Sequence, residues 1–309
     1  MTGSLRFELL IVPNQSWETV LARFRSIEAL GFDLGGLADH FVDWTNPPLP
    51  WFDLWATLGA VAQATTTLRL RPCVAQIPLR DPATFARQAL SLDHISGGRI
   101  ELGLGIGLTI DPSYAMMGIP NWSNTERVAR LKEYLEIVDR MLTNEVTSYE
   151  GKYYTISEAV MNPRPVQSPR PPLMLAAMGP VMLKRAARYA DIWNSISFLE
   201  EFDAQLAETR ERAARIDEHC AALGRDPTTL VRSYTMFDAA ARKRGGAVAC
   251  YESEDAFTDM VGRVLELGIT EIGLYWPTLP EQRSMFERIA TEAIPKLKAA
   301  HASRRAGSA

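Results

Sequence analysis

The sequence predicts an α/β fold, a single (β/α)8 TIM barrel in which eight parallel strands are each followed by a helix. Three observations lead to this fold class. Short apolar runs alternate strictly with longer amphipathic runs, which is the pattern of a parallel sheet. Eight such pairs can be counted, and 309 residues is a usual length for one such barrel. An open doubly wound sheet is the competing fold, and it is disfavoured because nothing marks its ligand-binding switch point.

The predicted strands are short apolar runs that end near turn residues or polar residues. They cover residues 6–12, 32–39, 68–76, 100–105, 173–177, 192–197, 230–237 and 271–276. The predicted helices lie between and after them, at residues 17–30, 52–64, 81–97, 123–142, 180–190, 197–220, 255–267 and 281–297.

Three of these helices have recognisable start signals. Asp81 followed by Pro82 places an N-cap acid before a proline in the first helical position. Ser123 and Glu126 form a capping box, and apolar residues follow at spacings of three and four. A second capping box, residues 197–200, predicts the start of the helix after the sixth strand.

Two segments interrupt the alternation without breaking it. Residues 146–156 read as a small hairpin that turns at Glu150-Gly151, after the fourth helix, and residues 239–250 read as a polar insertion after strand seven. The proline-rich stretch 162–172 is predicted to be neither helix nor central strand. We therefore expect one barrel domain over residues 1–300, followed by a disordered polar tail over residues 301–309.

Composition excludes several classes of protein. The 33 basic and 37 acidic side chains give a net charge of −4, which argues against a general nucleic-acid binder. The three cysteines are odd in number and widely spaced, which predicts neither a disulfide framework nor a metal or redox pair. No apolar run is long enough to cross a bilayer, and no signal peptide is recognised. We expect a cytoplasmic enzyme.

In such a barrel the chemistry is expected at the carboxyl ends of the strands. The second predicted strand ends at Asp39 and His40, and Trp44 lies just beyond it. Histidine titrates near physiological pH, so His40 can take or give a proton during a redox step. The alternative interpretation is a structural histidine that is held by Asp39.

Two backbone segments are candidates for holding a flat, phosphorylated cofactor. The glycine-rich run 103–107 fails the dinucleotide fingerprint, yet Gly105 and Gly107 leave backbone free beside a flat ligand, or simply relieve crowding at the barrel mouth. The segment Ala177, Met178, Gly179 and Pro180 leads directly into a helix. A helix N-terminus suits a phosphate, although most helix starts hold no ligand.

Three tryptophans, Trp44, Trp193 and Trp276, fall at predicted strand ends, where they would line an apolar pocket or pack in the core. The sequence contains no metal-ligand spacing, no nucleophile elbow and no phosphate-binding P-loop. We therefore expect no metal, and an organic redox cofactor that supplies the reactivity.

Six segments in chain order resemble the luciferase-like monooxygenase superfamily. They are GFD (31–33), ADHF (38–41), SGGRIELG (96–103), GKYY (151–154), NPRPVQ (162–167) and ARYADIWN (187–194). The resemblance implies a TIM barrel that binds either FMN or the deazaflavin coenzyme F420. It also implies a non-prolyl cis peptide at Cys73-Val74, backing the cofactor ring.

The pair Asp39-His40 followed by Trp44 is most similar to the F420-dependent oxidoreductase branch, where the histidine and tryptophan line the reactive face, and Asp39 is expected to bind the cofactor. The sugar-phosphate dehydrogenases of that branch carry an acid directly after the strand-four glycines, where this chain has Leu108. They also carry a phosphate-binding lysine after strand six, where this chain reads SFL (197–199). A less charged substrate is therefore expected, contacted by Leu108, Trp193, Phe198 and Trp276.

The hypothesis from sequence is an F420-dependent oxidoreductase that transfers hydride between cofactor and a small, largely apolar organic substrate. His40 and Trp44 are the catalytic residues, and His40 handles the proton. One alternative is an FMN-dependent two-component monooxygenase that works with a separate cofactor reductase. Another is a non-catalytic cofactor-binding protein, suggested by the missing acid at Leu108. A homodimer is expected, with no nucleic-acid or membrane partner.

Overall fold

The computed structural model of the chain describes residues 3–306. The strands in this range are β1 (Arg6–Ile11), β2 (Leu34–Leu37), β3 (Arg69–Pro72), β4 (Ala75–Gln76), β5 (Leu102–Gly105), β6 (Val146–Glu150), β7 (Thr155–Val160), β8 (Leu173–Ala176), β9 (Ile192–Ile196), β10 (Val231–Thr235) and β11 (Glu271–Tyr275).

The α-helices in the same range are α1 (Trp17–Ala29), α2 (Leu54–Ala64), α3 (Pro82–Ser96), α4 (Ser113–Met116), α5 (Asn124–Thr143), α6 (Pro180–Tyr189), α7 (Phe202–Ala222), α8 (Glu254–Leu265), α9 (Arg283–Arg288) and α10 (Ile294–Ala306). A π-helical segment, Ile289–Ala293, joins the last two.

The described chain divides into two compact units, each made of separate stretches. The first unit comprises residues 3–11, 26–35 and 176–306, and the second comprises residues 12–25 and 36–175. In the first unit β1, β11, β10 and β9 pair in parallel, in that order. In the second unit β5 pairs in parallel with β4 and with β8.

The main sheet has nine strands in the order β3-β2-β1-β11-β10-β9-β8-β5-β4, one more than the eight predicted. The extra strand arises because the predicted strand 68–76 is interrupted at Cys73-Val74, a non-prolyl cis peptide, and is divided into β3 and β4. These two pieces stand at opposite ends of the strand order, and β3 also bridges toward β5 through Leu70 and Ile100. The predicted α/β barrel fold class is confirmed.

The core of each unit is built from the apolar side chains of these strands and of the helices beside them. In the first unit Phe7 on β1 packs against Phe257 on α8, with 6.2 Å between ring centroids. In the second unit Phe85 on α3 packs between Trp55 on α2 and Tyr134 on α5. Such burial is the main favourable contribution to folding.

Two of the three helix start signals are confirmed. The Asp81 side chain accepts a hydrogen bond from the backbone N–H of Thr84, and Ser123 accepts one from that of Glu126. The third signal, at residues 197–200, is wrong, because α7 begins only at Phe202. The hydroxyl of Ser197 instead accepts a hydrogen bond from the backbone N–H of Leu199, two residues on, inside the loop that follows β9.

The hairpin prediction is confirmed by the antiparallel pair β6 and β7, and the insertion after strand seven forms two short 3₁₀ segments, Ala239–Arg244 and Ala249–Tyr251. Residues 301–306, expected in a disordered tail, continue α10, and His301 Nε2 lies 3.1 Å from the Gly3 carbonyl oxygen; residues 307–309 lie outside the described range. The boundary of a single domain at residue 300 stays a prediction. Among the described helices, none has the length and apolarity to span a membrane.

Candidate active site

His40 lies in the loop after β2, in the second unit, and is paired with Asp111. The Nδ1 atom of His40 is 2.6 Å from Oδ2 of Asp111. The histidine side chain keeps 17% of its surface exposed, whereas the carboxylate keeps 1%. The interpretation of His40 as a residue held by Asp39 is therefore wrong, because its carboxylate partner comes from the loop after β5.

The backbone and side chain of Ser113, at the start of α4, hold this pair in place. Oδ1 of Asp111 accepts a hydrogen bond from the Ser113 N–H at 2.8 Å, and the Ser113 hydroxyl accepts one from the Phe41 N–H at 3.0 Å. Burial alone would raise the pKa of Asp111, but hydrogen bonds from His40 and Ser113 lower it to about 2. Asp111 is therefore a carboxylate at neutral pH.

This charge state assigns the proton of the pair. Because the Asp111 carboxylate can only accept, the hydrogen in the 2.6 Å contact is carried by Nδ1 of His40. The other ring nitrogen, Nε2, makes no hydrogen bond to any residue of the described range. A histidine oriented in this way by a carboxylate presents Nε2 as a proton acceptor.

Asp39, by contrast, uses its charge within the protein. Its carboxylate pairs with the Arg80 guanidinium and accepts a hydrogen bond from the Gln76 N–H at 3.1 Å. Burial raises the pKa of Asp39, and the Arg80 hydrogen bonds oppose that shift. The pair ties the end of β2 to the segment after β4. The assignment of Asp39 to cofactor binding stays a prediction.

Two tryptophans surround the His40 ring. Trp44 lies roughly parallel to it, with centroids 6.3 Å apart, and Trp51 meets it edge-on at 5.5 Å. The Trp44 side chain keeps 36% of its surface exposed. Its loop is fixed by Asp43, which accepts hydrogen bonds from the Asn14 amide and from the backbone of Thr45. His40 and Trp44, predicted as catalytic residues, are thus brought together.

The segment at Cys73-Val74 has the cis peptide that the family resemblance implies. Both residues are half-buried, although Pro72 and Ala75 on either side are buried. A Cβ on Gly105 would lie 2.5 Å from Cγ2 of Val74. The absence of a side chain at Gly105 is therefore required by a protein neighbour, as the crowding interpretation expects.

Gly107 is required for a similar reason. It has a φ of +71°, and a Cβ there would lie 2.2 Å from the Tyr114 hydroxyl and 2.4 Å from the Gln76 amide oxygen. Leu108, the next residue, is exposed. Contacts of Gly105 and Gly107 with a cofactor stay predictions.

The predicted phosphate site lies in the first unit. Helix α6 begins at Pro180, its N-cap is Gly179, and no atom lies near the place where a Cβ on Gly179 would stand. Both residues are exposed, Met178 is half-buried and Ala177 is buried. This helix N-terminus is therefore open to solvent. Phosphate binding there stays a prediction.

The three predicted substrate contacts of the first unit have different surroundings. Trp193 has no exposed surface, and its indole N–H donates to the Ala177 carbonyl at 2.9 Å, so it offers no atom to a substrate. Phe198 is 55% exposed and packs edge-on against Phe237. Trp276 is half-buried and lies 5.4 Å from the Phe286 ring.

Sequence reasoning missed Asp111, Gln76 and Arg80. The signal for Asp111 was present, because Asp111-Pro112-Ser113 repeats the acid–proline helix start seen at Asp81-Pro82. Residue spacing carries no such signal for Gln76 and Arg80, whose roles depend on contacts between different strands. No group of three or more metal-binding side chains occurs in the part of the chain that the structure describes.

Comparison with known proteins gives one family. The family model described as luciferase-like monooxygenase matches residues 5–303. An F420-dependent glucose-6-phosphate dehydrogenase of Segniliparus rotundus is 32% identical over 168 residues, which is 53% of this chain and 48% of that protein.

Solved structures with the same fold include an F420-dependent secondary alcohol dehydrogenase in complex with an F420-acetone adduct. It has a TM-score of 0.78 and 18% identity, over 94% of this chain and 99% of that one. A monooxygenase from Streptomyces bottropensis has a TM-score of 0.76 and 21% identity, over 95% of this chain and 100% of that one.

Proposed function

Because the chain belongs to the luciferase-like monooxygenase family and is an oxidoreductase, we propose that it works with coenzyme F420. In this proposal hydride passes between the deazaflavin and a small, largely apolar organic substrate, and His40 handles the accompanying proton. The His40–Asp111 pair is the observation that carries the proposal. The non-catalytic alternative was suggested by the missing acid at Leu108, and Asp111, three positions later, supplies a carboxylate beside His40.

The proton step follows from the charges of the pair. When a substrate is oxidised by loss of hydride from carbon, the oxygen or nitrogen on that carbon loses a proton. Nε2 of His40 takes that proton, and the resulting imidazolium is stabilised by the Asp111 carboxylate 2.6 Å from Nδ1. In the reverse direction the same imidazolium returns the proton. General acid–base catalysis of this kind contributes about 10²–10⁴-fold in rate.

Apolar surface in the second unit and an open helix N-terminus in the first each suit, taken separately, one part of a flat phosphorylated cofactor. The half-exposed Cys73 and Val74 and the exposed indole of Trp44 provide apolar surface within the second unit. Gly179, at the open N-terminus of α6, would hold a cofactor phosphate. A deazaflavin supplies hydride transfer when it is bound. Leu108, Phe198 and Trp276 are the proposed substrate contacts.

The second candidate is an FMN-dependent monooxygenase with a separate reductase. It is supported by the similar TM-scores of the dehydrogenase and monooxygenase structures. Titration of the full chain with F420 and with FMN, followed by quenching of tryptophan fluorescence, distinguishes the two. The proposal expects F420 to bind tightly and to quench the fluorescence of Trp44, which lies close to His40. Tight binding of FMN alone would overturn it.

His40→Ala tests the proton role. The variant is expected to bind F420 with nearly unchanged affinity and to lose about 10²-fold or more in turnover. His94→Ala is the control, since His94 is exposed in the second unit and its Nε2 lies 2.8 Å from the Arg164 carbonyl oxygen. Full turnover of His40→Ala would refute the assigned role.

A further inference from the structure

The side-chain amide of Gln76 stands behind the His40–Asp111 pair. Gln76 ends β4 and is buried. Its nitrogen, Nε2, lies 3.0 Å from Nδ1 of His40 and 3.2 Å from Oδ2 of Asp111, and it donates to the Asp39 carbonyl oxygen. Its oxygen, Oε1, accepts a hydrogen bond from the Tyr114 hydroxyl. The neighbours of the amide nitrogen, the Asp39 carbonyl oxygen and the Asp111 carboxylate, thus need a donor, whereas the Tyr114 hydroxyl needs an acceptor.

The direction of the Tyr114 hydroxyl is set by Arg127. This arginine is fully buried, and its Nη1 lies 3.1 Å from the Tyr114 oxygen and 2.7 Å from the Ile106 carbonyl oxygen. A guanidinium only donates, so the tyrosine oxygen accepts from Arg127. Burial raises the pKa of Tyr114, which therefore keeps its proton. That proton has Oε1 of Gln76 as its acceptor.

With the amide oriented, its two hydrogens can be assigned. One is donated to the Asp39 carbonyl oxygen. The other faces Asp111 and His40, and because Nδ1 of His40 already carries a hydrogen, it is donated to Oδ2 of Asp111. The Asp111 carboxylate then accepts from His40, Gln76 and the Ser113 N–H, which stabilises its charged form.

We propose that Gln76, oriented by Tyr114 and Arg127, is a positioning residue that keeps the shared proton on Nδ1 of His40, so that Nε2 is the ring nitrogen left to exchange a proton. This inference rests on the proposed function, in which Nε2 accepts the substrate proton. If the amide were reversed, its oxygen would stand beside the Asp111 carboxylate and the Asp39 carbonyl oxygen, which are both acceptors, and Asp111 would lose the hydrogen bond that stabilises its charge. The missing Cβ of Gly107 gives the amide, the hydroxyl and the guanidinium the space in which they meet.

Two substitutions test the orientation. Gln76→Glu replaces the donor with a negative charge, and Tyr114→Phe removes the hydroxyl that selects the amide orientation while keeping the ring, over which Arg127 stacks at 4.5 Å. Tyr251→Phe is the matched control, because Tyr251 is also buried and its hydroxyl donates one hydrogen bond, to the Tyr275 carbonyl at 2.7 Å, in the first unit.

The readout is ¹⁵N–¹H NMR of the histidine rings in the full chain without cofactor. The chain has four histidines, so His40→Asn assigns the His40 signals by their loss. The wild type is expected to show the Nδ1–H form at neutral pH. The protonation midpoint of His40 should rise by about one pH unit in Gln76→Glu, and by less in Tyr114→Phe. It should stay unchanged in Tyr251→Phe.

An Nε2–H form in the wild type, or midpoints in both variants equal to that of the control, would overturn the proposal. If Tyr114→Phe does not fold, Gln76→Glu decides alone. The NMR readout needs neither F420 nor substrate, so the two proposals fail separately. Absence of F420 binding with the expected NMR result rejects the proposed function, whereas F420-dependent turnover with unshifted midpoints rejects the role of Gln76.

Discussion

The charge of Asp111 can be removed with little change in shape by Asp111→Asn. In the wild type the balance of burial and hydrogen bonds lowers the pKa of this carboxyl from 3.8 to about 2. At about 1.36 kcal/mol for each tenfold step, that difference is about 2.4 kcal/mol, or about 60-fold. Part of it belongs to the hydrogen bonds from Ser113. We therefore expect Asp111→Asn to lower kcat about 10- to 60-fold, because the imidazolium of His40 loses its counter-charge.

The same shift predicts a pH dependence of stability. Because the folded-state pKa lies below the ordinary value, the stabilisation is present above about pH 4 and is lost as the pH falls through about 2. Urea unfolding across this range should show the wild type losing up to about 2 kcal/mol more than Asp111→Asn. The kcat values of the wild type and of Asp111→Asn are compared by the change in F420 absorbance, with a substrate found by screening small alcohols and ketones.

Asp93→Asn provides the control for this substitution. Asp93 is fully buried and accepts hydrogen bonds from the backbone N–H groups of Val166 and Gln167, without contact to His40. It is expected to lose stability but to retain kcat in the fraction that stays folded. If Asp111→Asn kept wild-type kcat across the pH range, or if Asp93→Asn lost as much, the assigned role of the His40–Asp111 pair would be refuted.

Three further substitutions test the surroundings of the pair. Asp43→Asn should loosen the loop that holds Trp44. Burial alone would raise the pKa of Asp43, but its hydrogen bonds lower it, so the stabilisation that its carboxylate gives to this loop should be lost below about pH 4. Tryptophan fluorescence during acid titration measures that loss. Gly107→Ala should destabilise the chain by several kcal/mol, through contacts near 2.2 Å and a positive φ, and an unfolding free energy within about 1 kcal/mol of wild type would contradict the packing described. Arg80→Met should cost about 3–5 kcal/mol by leaving Asp39 buried and unpaired, unless the carboxyl is protonated, so the loss measured by urea unfolding should shrink at low pH.

The fold was predictable because its signals are local. Apolar periodicity located the eight regions that form the main sheet, although it did not show that residues 68–76 divide into β3 and β4, and the acid–proline pair at Asp81-Pro82 located the start of α3. The capping signal at residues 197–200 misled because a serine can bond to a nearby N–H in a loop as well as in a helix. The residue types alone do not show whether the serine bond forms in a loop or at the start of a helix.

The site was predictable only in part. His40 and Trp44 could be located because they follow a strand directly, and the structure stacks their rings. The partner of His40 could not be located in the same way, because Asp111 reaches it across 71 positions of sequence. To predict the role of Gln76 one must know that β4 ends at this residue and in which direction the Tyr114 hydroxyl points. A pattern of residue types contains neither piece of information.

The acid of the His40 pair belongs to a loop, anchored by its bond to the first turn of α4. A loop residue can change its distance from the preceding strand without changing the point that it reaches in space. A sequence alignment that compares this chain with its relatives position by position would count Leu108 as the loss of a catalytic acid. Relatives are better sorted by asking whether any carboxylate of this loop, with a serine two residues later, can reach the histidine. Chains without an acid at the position of Leu108 would then still be examined for a carboxylate that pairs with the histidine.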